Sequence, residues 1–210
     1  MELFRSQPAL AVELLAEQLQ FEVPAHERVE WFPDALYERV PEKFRADVAL
    51  VLRTKQNEPV LGVMVEVQLD PSEDTQWIWP AILNIAWGRL NEWAQSMCPT
   101  VLLVVSPKAA VAAWCARPIE TGHPGFTLRP LVLGPDQVPV VTDPDLARRH
   151  PEQAMLSAIV HCEHPQRDQV FRSLLTALDN HDHATRYIDL ILTALPAAPR
   201  AQLEALMTTA

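Results

Sequence analysis

Asp47, Glu66 and Gln68 are the residues of this chain whose types and spacing best suit a chemical site. Asp47 opens a short β-rich run, DVALVLRT, and the other two lie in a second such run, PVLGVMVEVQL. The runs occupy positions 47–54 and 59–69 and are separated by a few polar residues. Two β-rich runs joined by a short polar turn are typical of a β-hairpin, so we predict one here.

The turn of this hairpin predicts which residues face each other. If the turn is centred between Gln56 and Asn57, the two residue numbers in each cross-strand pair add up to about 113. Asp47 then pairs with Glu66. Paired side chains share one face, with Cβ atoms about 5 Å apart. Side chains alternate along a strand, so Gln68 lies on the same face as Glu66. A one-residue bulge in the turn would shift this register.

Two carboxylates that face each other inside an apolar sheet repel, and a divalent cation would remove that repulsion. Mg²⁺ prefers oxygen ligands and keeps several waters, so Asp47, Glu66 and the backbone carbonyl of Val67 would suffice as protein ligands. A metal ion held in this way polarises a phosphoryl oxygen and lowers the pKa of a bound water. The simpler alternative is that the acidic residues are solvated at strand ends and that Gln68 lies at the surface near a loop.

The order of elements around these residues resembles the PD-(D/E)XK nuclease superfamily. Asp47 precedes a hairpin that carries Glu66-Val67-Gln68, after a predicted N-terminal helix and before a predicted long helix. The pattern is most similar to bacterial recombination-promoting nuclease and transposase-like proteins, in which the last motif position can be glutamine. The resemblance covers roughly residues 1–141 and does not extend to the helical tail.

The resemblance implies a restriction-endonuclease-like α/β core, in which helices flank a mixed central sheet. It also implies hydrolysis of phosphodiester bonds in DNA with Mg²⁺ or Mn²⁺, with Asp47 and Glu66 as catalytic metal ligands. Gln68 stands where the superfamily usually has lysine, and a neutral amide can only hydrogen-bond to the attacking water. A second hypothesis is therefore a nuclease-fold protein that no longer cleaves and serves as a binding or oligomerisation module.

Three further residues are candidate accessories of this site. In some members of the superfamily an acidic residue of the first helix joins the metal site, and Glu13 and Glu17 lie one helical turn apart. Arg45 precedes Asp47 by two positions, so it would share that face and could contact phosphate. For all three the alternative is a surface charge or a surface ion pair.

Two aromatic residues and one histidine-rich region permit more than one interpretation. Trp77 and Trp79 open the predicted long helix, either as core anchors or as surfaces on which unpaired bases stack. A group of potential zinc ligands occurs late in the chain, but it lacks the spacing of known zinc sites; it comprises His161, Cys162, His164, His181 and His183.

Hydrophobic periodicity predicts an α/β order in residues 1–143, followed by a helical C-terminal extension over 144–210. With 19 Pro and only five Gly, most chain breaks are expected at proline. The predicted helices cover 8–20, 75–97, 108–116, 144–161, 166–195 and 200–207. The predicted strands outside the hairpin lie near 28–32 and at 101–105, 127–133 and 138–141.

Composition limits the class of protein and of partner. The formal net charge is −10, which disfavours strong non-specific DNA binding. DNA stays the expected partner, because charge can be locally clustered and a bound metal changes the local field. No apolar run is long enough to cross a membrane, and the N-terminus lacks the pattern of a signal peptide. Three widely spaced cysteines suit a reducing compartment, so we expect a cytoplasmic protein. Self-association is expected to use the helical tail.

Overall fold

A computed structural model describes residues 2–38, 40–179, 181 and 184–209. The chain divides into two compact units, of which one comprises Leu3–Gly134 and the other begins at Pro135. Within the described residues, no helix is both long enough and apolar enough to span a bilayer.

The first unit is built on a mixed five-stranded sheet, which confirms the predicted α/β class. The strand order is β1-β2-β3-β4-β7; the first three strands run antiparallel, and β4 and β7 continue the sheet in parallel with β3. A separate two-stranded ribbon is formed by β5 and β6. The strands are β1 (Arg28–Trp31), β2 (Val48–Arg53), β3 (Pro59–Val67), β4 (Thr100–Val105), β5 (Ile119–Glu120), β6 (Thr127–Leu128) and β7 (Leu131–Leu133).

The helices of this unit are α1 (Glu2–Ser6), α2 (Pro8–Glu17), α3 (Thr75–Ala94) and α4 (Ala109–Cys115). Helix α3 covers one face of the sheet, where apolar residues of the helix and of three strands form a common core. This helix ends before the predicted position 97 because Gln95 adopts a left-handed backbone conformation, with a φ of 54°. The core members are Ala49, Val51, Met64, Trp79, Ile82, Ala86, Leu90, Leu102 and Val104.

The register of the β2–β3 hairpin is the one that the turn predicts. Val48 pairs with Val65, and the residue numbers of each pair add up to 113 from there to the pair of Leu52 with Leu61. A shift occurs between Leu52 and Arg53, beside the turn. This irregularity lies at the far end of the hairpin from Asp47, so it leaves the predicted pairing near that residue unchanged.

Two predicted strands differ from the observed structure. The run 127–133 forms two short strands in different sheets, because Pro130 has no N–H to donate to a continuous ladder. The segment 138–141 is not a strand. The backbone N–H of Val141 donates to the side-chain oxygen of Ser157 at 2.9 Å, so it does not join a sheet.

The second unit is helical in the described residues after 143, as predicted, but its helices are shorter than the periodicity indicates. Pro151 starts a new helix after His150, so the predicted helix 144–161 is two helices. The predicted helix 166–195 is interrupted after Leu178. The helices are α5 (Pro144–Arg149), α6 (Pro151–Val160), α7 (Arg167–Leu178), α8 (Ala184–Ala194) and α9 (Ala197–Thr209).

The boundary between the units precedes the predicted position at Asp143. The segment 135–143 belongs to the second unit, where buried serines hold it: Ser157 accepts from Val141, and the Ser173 hydroxyl donates to the carbonyl of Thr142. A buried backbone polar group is stabilised only when it is hydrogen-bonded. These contacts explain why the segment associates with the helices that follow it.

Candidate functional site

Asp47 and Glu66 face each other at the end of the β2–β3 ladder. The backbone N–H of Asp47 donates to Oε1 of Glu66 at 3.2 Å, and the N–H of Val67 donates to Oδ2 of Asp47 at 2.9 Å. Each carboxylate therefore accepts a backbone N–H from the opposite strand. The backbone pairing of the two strands ends at Val48 and Val65. Just beyond it, the two carboxylates accept the N–H groups that a further backbone pair would have engaged.

Alternation along β3 places Glu66 on the same sheet face as Met64, which belongs to the core beneath α3. The Tyr37 hydroxyl contacts the sulfur of Met64 at 3.6 Å. Burial raises the pKa of Glu66 to about 7, and the negative charge of Asp47 adds to this increase. Hydrogen bonds from the Asp47 backbone and from the Trp79 side chain oppose it. Burial likewise raises the pKa of Tyr37 to about 12.

Three oxygen donors are available at this point of the sheet. In an extended strand the N–H and C=O of one residue point to the same side. Because the Val67 N–H is directed to Asp47, the Val67 carbonyl is directed to the same side of β3. In the part of the chain that the structure describes, no three His, Cys, Asp or Glu side chains form a metal-binding group. A cation here would therefore need the Val67 carbonyl and water in addition to the two carboxylates.

Gln68 directly follows Val67, the last residue of β3. Its backbone N–H donates to the Val105 carbonyl of the adjacent β4 at 2.9 Å. Its side-chain amide donates to the backbone carbonyl of Asp70. The Asp70 carboxylate in turn forms an exposed ion pair with Lys108 at 2.8 Å. One N–H of the Gln68 amide is thus engaged, and its second N–H and its side-chain oxygen can still meet water.

Arg5 contributes a positive charge that the sequence gives no means to locate. Its Nη2 lies 3.3 Å from the backbone carbonyl of Asp47, a contact between residues 42 positions apart. Short-range spacing and periodicity carry no information about such a pairing. A guanidinium therefore contacts the backbone of Asp47.

Arg45 supports the chain beside the site. Its guanidinium donates to the carbonyls of Val40 and Tyr37 at 2.9 and 3.1 Å, and it lies 5.7 Å from the centre of the Tyr37 ring. These contacts hold the turn that carries Tyr37. In this arrangement Arg45 is a positioning residue, and a contact between Arg45 and phosphate stays a prediction.

Glu13 and Glu17 are exposed on α2. They line a groove together with Val29 of β1 and the segment 23–26. The structure does not bring either residue together with Asp47 and Glu66 in a metal-binding group of the described residues.

Trp77 and Trp79 have different environments on α3. Trp79 is buried, with 1% of its surface exposed, and its ring centre lies 6.4 Å from that of Trp114. Trp77 is 49% exposed and packs edge-on against Phe44 at 6.0 Å. Trp79 is thus a core anchor, whereas Trp77 presents an aromatic surface to solvent.

The histidine-rich region of the second unit does not form a zinc site among the described residues. A ring nitrogen of His161 lies 2.8 Å from the Val138 carbonyl, so this side chain hydrogen-bonds to the backbone instead of binding a metal. His183 lies outside the described residues.

Comparison of the chain with models of known protein families, with curated proteins and with solved structures finds no match.

Proposed function

We propose that the protein is a metal-dependent endonuclease that hydrolyses phosphodiester bonds in DNA. The observation that carries this proposal is the reciprocal pairing of Asp47 and Glu66 at the end of the hairpin, beside the Val67 carbonyl. The sequence of α2, three antiparallel strands, α3 and a parallel β4 is compatible with a restriction-endonuclease-like core.

The donor set fits Mg²⁺ or Mn²⁺, because all three protein groups are oxygens and the remaining positions can be filled by water. When bound, such an ion would supply a polarised phosphoryl oxygen and a water of lowered pKa. Since the pKa of Glu66 is raised to about 7, binding of a cation by the acidic pair would displace a proton close to neutral pH. Asp47 and Glu66 act in this proposal as metal ligands.

Gln68 would orient the attacking water. Its amide nitrogen donates to Asp70, which fixes the side chain and leaves its oxygen to accept a hydrogen bond from water. Arg5 would add a positive charge near the developing negative charge of the phosphoryl group.

Cleavage assays test this proposal. Supercoiled plasmid, linear duplex and single-stranded DNA are incubated with the protein and Mg²⁺ or Mn²⁺. We expect cleavage by the wild type and loss of cleavage in Asp47→Asn and Glu66→Gln, while the exposed-site control Glu22→Gln stays active. Equal cleavage by the wild type and both site variants would reject the proposal.

A second candidate function is a nuclease-fold protein that binds partners without cleaving. The engaged amide of Gln68 favours it, since that group is then less available to a reacting water. Calorimetry with Mg²⁺ and Mn²⁺ separates the two: binding that requires Asp47 supports the endonuclease, and no binding at millimolar concentration supports the non-cleaving module.

A further inference from the structure

An aromatic surface lies at the start of α3, a few residues after the strand that carries Glu66. The indole N–H of Trp77 donates to the Asp74 carboxylate at 3.3 Å, which orients the ring. Phe44 packs edge-on against the Trp77 ring. Nearly half of the surface of Trp77 remains exposed to solvent. An exposed indole fixed by a hydrogen bond and by a second ring loses little conformational freedom when a ligand stacks on it.

A lysine accompanies this aromatic pair. Lys43 is exposed, and its Nζ lies 4.9 Å from the centre of the Phe44 ring and 5.4 Å from that of Trp77. The combination of aromatic faces and a nearby cation matches the two chemical parts of a nucleotide, a base with a π-face and a phosphate.

Trp77 also lines a groove of about 680 Å³. Trp79, Trp114 and Phe126 contribute further aromatic surface to it, and Arg117 lies on its wall. Trp79 connects this groove to the candidate site, because its side chain also acts on the Glu66 carboxyl. The groove thus adjoins the candidate site at the buried Trp79 side chain, and Asp47, Glu66 and Gln68 do not line it.

We propose that Trp77 stacks on an unpaired base of a single-stranded nucleic acid, with Lys43 contacting the adjacent phosphate. This proposal rests on the proposed function and names the substrate class of that site. Bases in a duplex are stacked on both sides, so only an unpaired base offers a free face to an indole. The groove also carries Glu73 and Glu120, whose carboxylates disfavour phosphate there, so the phosphate contact is assigned to Lys43, which does not line the groove.

The test is equilibrium binding of the full-length protein in excess chelator, measured by the fluorescence anisotropy of labelled oligonucleotides. Single-stranded DNA, single-stranded RNA and a duplex of the same sequence are compared. We expect a single strand to bind more tightly than the duplex, and the DNA and RNA arms identify which sugar is preferred. Trp77→Ala should weaken single-strand binding about tenfold or more, while Trp77→Phe retains most of the affinity.

Trp87→Ala is the matched control, since Trp87 is 40% exposed on the same helix and does not line the groove. It should bind like the wild type. Equal affinities of Trp77→Ala and Trp87→Ala, preference for duplex, or no binding of any oligonucleotide would overturn the proposal. A second measurement needs no variant. A single strand that contains bromouracil is photocrosslinked to the protein, and the crosslink should form at Trp77 or Phe44. Crosslinks at other residues only would overturn the proposal.

Because the chelator removes divalent ions, neither metal binding nor cleavage contributes to the measured affinity. The assay therefore tests the stacking proposal independently of the endonuclease proposal. The exposed control Glu22→Gln should bind single strands as the wild type does. If stacking is observed but cleavage assays are negative, the endonuclease alone fails. If cleavage depends on Asp47 but Trp77→Ala binds normally, the stacking proposal alone fails.

Discussion

Oε1 of Glu66 lies 3.2 Å from the backbone nitrogen of Asp47, at the position where the backbone pairing of the hairpin stops. The Asp47 carboxylate accepts the N–H of Val67 in the same way. Both acidic side chains thus have a structural role in addition to any chemistry. Variants that test the site must therefore separate the charge of a side chain from its capacity to accept a hydrogen bond.

Asp47→Asn and Asp47→Ala should separate these two roles. Asparagine retains an oxygen that can accept from Val67 but loses the charge, so we expect lost Mn²⁺ binding with little change in the free energy of unfolding. Alanine also leaves the Val67 N–H without its partner, which should lower that free energy by about 1–3 kcal/mol. Chemical denaturation and calorimetry measure the two effects. Equal destabilisation by both substitutions would show that charge, not the hydrogen bond, stabilises this end of the hairpin.

The affinity for divalent cations should depend on pH because Glu66 has to release a proton. Its pKa is raised to about 7, so the Mn²⁺ dissociation constant should increase about tenfold for each pH unit below 7 and become nearly constant above pH 8. Calorimetric titrations at pH 6, 7 and 8 measure this dependence. The same dissociation constant at pH 6 and pH 8 would contradict it.

The same carboxyl should make stability depend on pH in the absence of divalent ions. The pKa of Glu66 rises from 4.5 to about 7 on folding, so the folded state binds protons more tightly. Its stabilising contribution is fully present below about pH 4.5 and is lost as pH rises through 7. Glu66→Gln should therefore be about 1–3 kcal/mol more stable than the wild type at pH 8 and gain little at pH 5.

Urea denaturation of the Glu66→Gln variant at these two pH values is the measurement, with Glu22→Gln as an exposed control that should show no such difference. A glutamine variant that is less stable than the wild type at pH 8 would indicate that the ionised carboxylate stabilises the fold.

Substitutions of Gln68 address the role of the residue that replaces lysine. Gln68→Ala should lower the cleavage rate about 10²-fold, because the attacking water loses its orienting group. Gln68→Lys should raise the rate about tenfold, because it adds a positive charge beside the phosphoryl group. Gln56→Lys at the hairpin turn controls for a general effect of charge on DNA binding. Unchanged rates in both Gln68 variants would exclude Gln68 from catalysis.

The buried serines of the second unit allow a test of the domain boundary. Ser157→Ala removes the acceptor of the Val141 N–H and should destabilise this unit by about 1–3 kcal/mol. Hydrogen exchange should become faster in the segment 135–143, whereas the exposed control Ser96→Ala should leave exchange unchanged. Unchanged protection in Ser157→Ala would indicate that other contacts hold this segment.

The hairpin could be predicted closely because local turn symmetry determines its register. The only irregularity within it falls beside the turn, where Arg53 pairs with Pro59, and does not reach Asp47. The positions of Asp47 and Glu66 follow from that register. The hydrogen bonds from backbone N–H groups to their carboxylates do not, because the register gives no information about where the backbone ladder ends.

Other features depend on contacts between distant parts of the chain. Nothing near Arg5 indicates that it lies beside Asp47, and the types of Trp77 and Trp79 do not reveal which one is buried. Pro130 and Pro151 each interrupt an element in the structure. Because the hydrophobic periodicity continues across both prolines, it predicts one longer element in each place. The contacts of the segment 135–143 come from helices later in the chain, so local sequence gives no information about them.

The arrangement of strands has a consequence for aggregation. The edge strands of the described sheet, β1 and β7, have only four and three residues, and β1 carries the ion pairs of Glu30 with Arg28 and Arg53. Short, charged edges offer few unpaired backbone groups to another chain. Both strands that hold the acidic pair lie inside the sheet, so intermolecular strand addition would begin away from Asp47 and Glu66.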